Sequence, residues 1–313
     1  METRNEEQPL KIRSARAVIA AGFRLYMGNF RRIFRTTWLP AVLCAVVSAF
    51  YTSTAVTALN LMLATGVKDA AFAQGFMGGY MAQTGLSLLN LIVSILLISY
   101  VFHILSVHRA EGHIPYPTRW LNMPDSHTLT RTVGSAVVWI AIEILVGGVV
   151  TALLLTGYNS QSLTLIIAAF LLMLVAAVFL LPMVYPHIRF LTTRDTRLLP
   201  LLRTGYIQGL RHWGYIFTVL FVMLIVTAVV LTITELPAIV LVVASMKSQA
   251  GALMGDPEGM PSYMSWLSFL VFTLSGFIQA YVVMAIHFPI YYMAGSIEQQ
   301  EKQRNEKTKN TLY

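Results

Sequence analysis

The chain has 313 residues, of which 56% are hydrophobic and 12% charged, with 22 basic and 14 acidic side chains and a formal charge of +8. Roughly a quarter of an ordinary soluble domain is charged. This composition, with a mean hydropathy of +0.66, therefore excludes a soluble enzyme, a disordered tail and a disulfide scaffold, and points to a chain surrounded by lipid.

Residues 1–36 read as a cytoplasmic N-terminus carrying an amphipathic helix over 13–35. On a helical wheel Arg13, Arg16, Arg24, Arg31 and Arg35 gather on one side and Ile19, Phe23, Tyr26, Phe30 and Ile33 on another. Such a helix lies in the headgroup layer with its arginines near anionic lipid phosphates. The only cysteine, Cys44, follows Leu39-Pro-Ala-Val-Leu43, which hints at a lipoprotein cleavage site. Leu43 is too bulky for that site, and the charged stretch before it is too long for a signal peptide.

A spanning helix needs about 20 apolar residues, because hydrocarbon offers no partner to an unpaired amide. Six stretches qualify: 37–62, 85–108, 132–156, 162–186, 214–246 and 263–293. Pro237 is placed to bend the fifth, Pro182 and Pro186 disturb the inner end of the fourth, and Pro289 that of the sixth. Residues 37–293 thus read as a six-helix transmembrane domain and 294–313 as a charged cytoplasmic tail, its helix frayed. Of the 22 basic residues, all but Lys68 and Lys247 fall on one side of this arrangement. The positive-inside rule puts both termini in the cytoplasm. The positive charge is then a topology and lipid-contact signal, with no nucleic-acid partner.

Internal rhyme is visible. Gly22-Phe23 aligns with Gly205-Tyr206, Phe30 with Trp213 and Ile33-Phe34 with Ile216-Phe217, without gaps. A second interfacial element before the fifth span has Leu198, Leu202, Tyr206 and Trp213 on one side. The even-numbered spans end at Tyr100-Val-Phe-His103, Tyr185-Pro-His187 and Ile286-His287-Phe288-Pro289. The chain reads as three helical hairpins entered from one side, an organisation common in proteins that move solutes.

The segment Gly22-Phe23-Arg-Leu-Tyr26…Asn29-Phe30, six spans, and a last span running into Pro289-Ile-Tyr291-Tyr292 before a charged tail together resemble a loose bacterial group. It comprises the membrane domains fused to some glycerophosphodiester phosphodiesterases and their free-standing YciC-like relatives. The resemblance implies a six-helix inner-membrane protein. The 313 residues contain no phosphodiesterase sequence, so it carries no catalytic residue onto this chain.

Glu143 lies near the middle of the third span. A carboxylate there costs several kcal/mol unless it faces protein, water or a cation. The row Ser135, Trp139, Glu143, Gly147, Thr151 and the pair Gly147-Gly148 suggest that it faces the bundle interior, where small residues let a neighbouring helix approach. Gln279, Asn90 and Tyr100 are its expected partners in a protonatable or cation-binding site; the alternative is a neutral packing contact. Glu235, beside Pro237, reads as a headgroup-level residue. His103, His187 and His287 stand near one end of the bundle, where three imidazoles would suit a metal, although beside Tyr and Phe they read first as ordinary interfacial histidines.

No Walker A, GxSxG, GxGxxG or CxxC motif occurs, so no cofactor is expected and an ATP-driven role would need a separate ATPase partner, docked for instance on 108–131. The outer loop 66–84, with Gly75, Gly78 and Gly79, reads as a flap or a plain connector. The expected class is all-α and polytopic. The expected roles, in order, are a membrane transport component, a non-catalytic membrane or assembly factor, and a lipid or isoprenoid enzyme with a histidine metal site.

Overall fold

The computed structural model describes residues 9–65, 70–115, 124–194, 196–255 and 260–311. Lys68, Arg119 and residues 116–123 of the 108–131 connector lie outside them. Among the described residues the fold is all-α, with nine α-helices: α1 (Ala15–Gly28), α2 (Phe30–Thr65), α3 (Ala70–Glu111), α4 (Ser126–Asn159), α5 (Leu163–Leu180), α6 (Val184–Thr192), α7 (Leu198–Arg211), α8 (Trp213–Leu253) and α9 (Tyr263–Thr311). Six helical stretches are long and apolar enough to cross a membrane, Phe30–Asn60, Met81–Glu111, Ser126–Asn159, Leu163–Thr192, Trp213–Gly251 and Tyr263–Asn310. The protein is an all-α, multi-pass membrane protein, as its composition requires.

Three boundaries differ from the sequence reading. The 13–35 element is two helices, broken at Asn29 (φ −116°, ψ 14°), whose side-chain amide donates to the Leu25 carbonyl at 3.0 Å. Arg31, Arg32 and Arg35 therefore belong to the first spanning helix. The 66–84 loop is helical from Ala70. The tail continues α9 without a break to Thr311, and Ile297 and Glu301 are buried, Glu301 against the basic partners Arg211 and His212 of unit 1.

The chain forms two compact units. Unit 1 contains residues 1–33, 99–223 and 287–313, and unit 2 contains 34–98 and 224–286. In unit 1, α1 buries Val18, Gly22, Leu25 and Tyr26. A Cβ at Gly22 would overlap the backbone of Pro289, so only glycine permits this approach. Tyr26 meets Phe288 edge-on at 5.1 Å. The Arg13 N–H donates to Ser296 Oγ at 3.0 Å, and Tyr215 donates to the Arg13 carbonyl at 3.0 Å.

Helix α7 docks in the same manner. Cβ atoms at Gly205 and Gly209 would overlap Pro186 and Pro182. Pro182 has no N–H to offer the carbonyl four residues earlier, and that carbonyl, of Val178, accepts instead from Trp213 Nε1 at 3.1 Å. The Phe179 carbonyl, beside the 3₁₀ turn Leu181–Met183, accepts from the Tyr206 hydroxyl at 3.2 Å. The two aromatic groups thus satisfy backbone polar atoms that lipid would leave unpaired.

The end of α9 is the post to which unit 1 is tied. Glu298 pairs with Arg109 at 2.6 Å and Arg189 at 3.8 Å, while buried Glu301 meets Arg211 at 3.4 Å and His212 at 3.1 Å. Arg131, also buried, donates to the Thr193 and Thr196 carbonyls at the end of α6 and packs 4.2 Å over the Phe190 ring. Helices α4 and α5 form a hairpin whose side chains are largely exposed, as befits spans with mean hydropathies of 2.4 and 3.0.

Unit 2 has a core of Ala49, Ala238 and Phe272, flanked by Val56, Val242, Phe269 and Val271. Gly276 lets α9 approach the backbone of Ala45 on α2. Polar pairs stitch the remaining contacts: Ser48 Oγ donates to Asn90 Oδ1 at 3.0 Å, Thr54 to Gln83 Oε1 at 2.6 Å, and Asn60 Nδ2 to Ser245 Oγ at 2.7 Å.

Candidate functional site

A cleft of about 260 Å³ opens in unit 2 among α2, α8 and α9. Three short patterns build it. Ser48 and Thr52 stand four residues apart on α2, and Ser275 and Gln279 four apart on α9, so each pair shares one helix face. Glu235 projects from the middle of the 41-residue α8, one turn before Ile239. Ala238, Val242, Val243 and Phe272 complete the lining.

The polar wall thus holds three hydroxyls, a carboxamide and one carboxyl group, with no basic residue in it. Ser48 is anchored by its bond to Asn90, which fixes its oxygen toward the cleft wall. Ser275 is buried and Glu235 half-buried. Among the described residues no cation pairs with Glu235. A lone carboxyl among neutral oxygens in a largely apolar unit favours a proton or a cation over an anion.

The structure redistributes the residues expected from sequence. Gln279 lines the cleft and Asn90 supports it through Ser48, but their acid is Glu235. Glu143 is exposed on α4, and among the described residues nothing lies within 4 Å of a Cβ at Gly147 or Gly148, so none of the described helices packs at that pair as the small residues had suggested. Tyr100 is buried in unit 1. Sequence reasoning passed over Glu235 because a helix that outruns the bilayer gives no reliable depth. The two i, i+4 polar pairs were the available signal.

The histidines serve packing. His187 Nδ1 accepts from Trp139 Nε1 at 2.9 Å and meets Ser135 Oγ. Phe102 stands edge-on to both His187, at 6.3 Å between ring centroids, and His287, at 5.4 Å. His103 stays half-exposed with Nδ1 buried. Among the described residues no three histidine, cysteine or acidic side chains gather as a metal site, because aromatic rings occupy the space the imidazoles would need to share. His108, not singled out by sequence, is fully buried and bonds the Tyr291 hydroxyl at 3.1 Å.

Arg13, Arg16 and Arg24 flank or belong to α1. Arg16 and Arg24 are exposed, while the Arg13 guanidinium lies 4.9 Å over the Tyr292 ring. Comparison of the chain with protein-family models, curated proteins and solved structures gives no match.

Proposed function

We propose that this multi-pass protein is a membrane transport component in which Glu235, with Gln279 and the surrounding hydroxyls, handles a proton or a small cation. The observation that carries the reading is the carboxyl-bearing polar cleft beside the apolar packed core of unit 2. Supporting it is the repeated arrangement in which a short docked helix precedes a long span, an organisation frequent among solute movers. The basic-residue bias supports an inner-membrane location with both termini cytoplasmic, and α1 and α7 then lie as interfacial amphipathic helices on the cytoplasmic face. The resemblance to the YciC-like group accords with this placement.

The test is flux. Purified protein is reconstituted into sealed vesicles, and proton, sodium and potassium movement down an imposed gradient is followed with internal dyes. The reading expects movement of one of these ions above protein-free vesicles, lost in Glu235→Gln. No movement of any of them, or movement unchanged in the variant, contradicts it.

One observation favours a second reading, a membrane assembly factor or the subunit of a larger complex. Glu143 is exposed amid apolar neighbours such as Ile144 and Leu145 on the α4–α5 hairpin, and a mid-span carboxyl is costly against lipid. A co-purifying membrane protein or ATPase that is lost on Glu143→Leu would support it.

A further inference from the structure

A second cavity, of about 380 Å³, lies in unit 1 along the outer face of α1 and is lined by Lys11, Ile12, Arg13, Ser14, Ala17, Ala20, Ala21 and Arg24. Three of these side chains are cationic and none is acidic. The position of Arg13 is set rather than incidental. The Arg13 backbone is held at its N–H by Ser296 and at its carbonyl by Tyr215, and its guanidinium is stacked on Tyr292. Ser14 caps the helix, accepting from the Ala17 N–H at 3.4 Å. Ala17, Ala20 and Ala21 form a floor of small side chains that leaves the space between Lys11 and Arg24 open.

We propose that this cavity binds the phosphate-bearing headgroup of an anionic phospholipid. Charge calls for a phosphate, since Lys and Arg side chains bind its oxygens with strong, charge-assisted hydrogen bonds. Two further features select a lipid over a free anion. Leu10 and Ile12, beside the cations, are apolar and 42% and 41% exposed, a surface suited to the glycerol and upper acyl region. Helix α1 is joined to the first spanning helix through one residue, Asn29, and its start is tied by Arg13 to Ser296 on α9 and to Tyr215 at the beginning of the spanning helix α8, a placement that suits the bilayer surface. The site is independent of the cleft in unit 2 and stands whether or not that cleft moves ions.

Full-length protein in nanodiscs of phosphatidylcholine is titrated with phosphatidylglycerol, and bound lipid is counted by native mass spectrometry alongside the thermal midpoint. Phosphatidylglycerol should bind preferentially and raise the midpoint. In the double variant Lys11→Gln/Arg24→Gln its affinity should fall roughly thirtyfold, at about 1 kcal/mol for each basic group at a membrane surface. Arg16→Gln, an exposed neighbour outside the lining, should retain it. Both positions of the double variant are exposed, and an unchanged midpoint in pure phosphatidylcholine confirms that it is folded. Equal binding of the two lipids, undiminished binding in the double variant, an equal loss in Arg16→Gln, or the same stabilisation by inorganic phosphate alone would each overturn the proposal.

Discussion

Gln161 turns the α4–α5 hairpin with φ +52°, a left-handed backbone that a side chain disfavours. The Gln161 N–H reaches the Tyr158 carbonyl at 3.2 Å and the Ser162 N–H the Gly157 carbonyl at 2.9 Å, the two bonds that usually close a helix on glycine. Gln161→Gly should therefore stabilise the protein by about 1 kcal/mol, read as a higher thermal midpoint in detergent. Gly157 offers the opposite case. A Cβ there would press on Leu165 and Ile166, so it is glycine for closeness between helices. At the same scale Glu235 and Glu143 show what one sequence can conceal. Both are acids in apolar helices, and only neighbours distant in the chain, Ser48 and Gln279 for one and open space for the other, separate their surroundings. The six spans were legible because apolar run length is a local property. The acid of the cleft was not, because convergence of three helices is not.

Helices α1 and α7 are the clearest repeat. Each has 14 residues, each ends at a single non-helical residue, Asn29 (φ −116°, ψ 14°) or His212 (φ −103°, ψ 22°), and each leads at once into a long spanning helix. The alignment of Gly22 with Gly205 in sequence has a physical counterpart. Both glycines are buried against a proline, Pro289 or Pro186, near the end of an even-numbered span. Neither the Pro289 backbone that a Cβ at Gly22 would meet nor the rigid Pro186 ring that one at Gly205 would meet yields as a flexible side chain would, so Gly22→Val should cost about 1–3 kcal/mol and Gly205→Val a comparable amount. Gly147→Ala, facing open space within a helix, should raise stability by about 0.5–1 kcal/mol. Thermal unfolding of the three variants in one detergent checks the contrast. The glycines were visible in the sequence as a rhyme, but their proline partners lie on other elements, and pairing them needed the fold.

Across the whole molecule, charge is concentrated in unit 1 and the polar cleft sits in unit 2. The end of α9 gathers arginines from α3, α6 and α7, and His212 of the α7–α8 junction, onto Glu298 and Glu301. A carboxylate with 5% of its side chain exposed, as in Glu301, leaves its partners unpaired when removed. Arg211 is 47% exposed, which screens part of the effect, so Glu301→Gln should destabilise by about 1–2 kcal/mol. Truncation after Lys302, beyond which α9 is exposed, should leave the thermal midpoint unchanged, whereas truncation after Ala294 should lower it. The sequence showed the tail as charged but not that Glu298 is half-buried and Glu301 buried, since burial depends on arginines contributed by several helices.

The polar cleft, the centre of this account, is tested most directly by chemical access. Cys44 is the only cysteine, so Cys44→Ser supplies a thiol-free background into which Thr52→Cys is placed. A membrane-impermeant thiol reagent should label Thr52→Cys in intact proteoliposomes, from the outside and, when loaded within, from the inside, with Ala49→Cys, buried in the packed core and outside the cleft lining, unlabelled from either. Absence of labelling at Thr52→Cys from both sides would mean a dry, filled core where a wet, carboxyl-bearing cleft is claimed, and labelling from one side alone would rule out a path across the membrane.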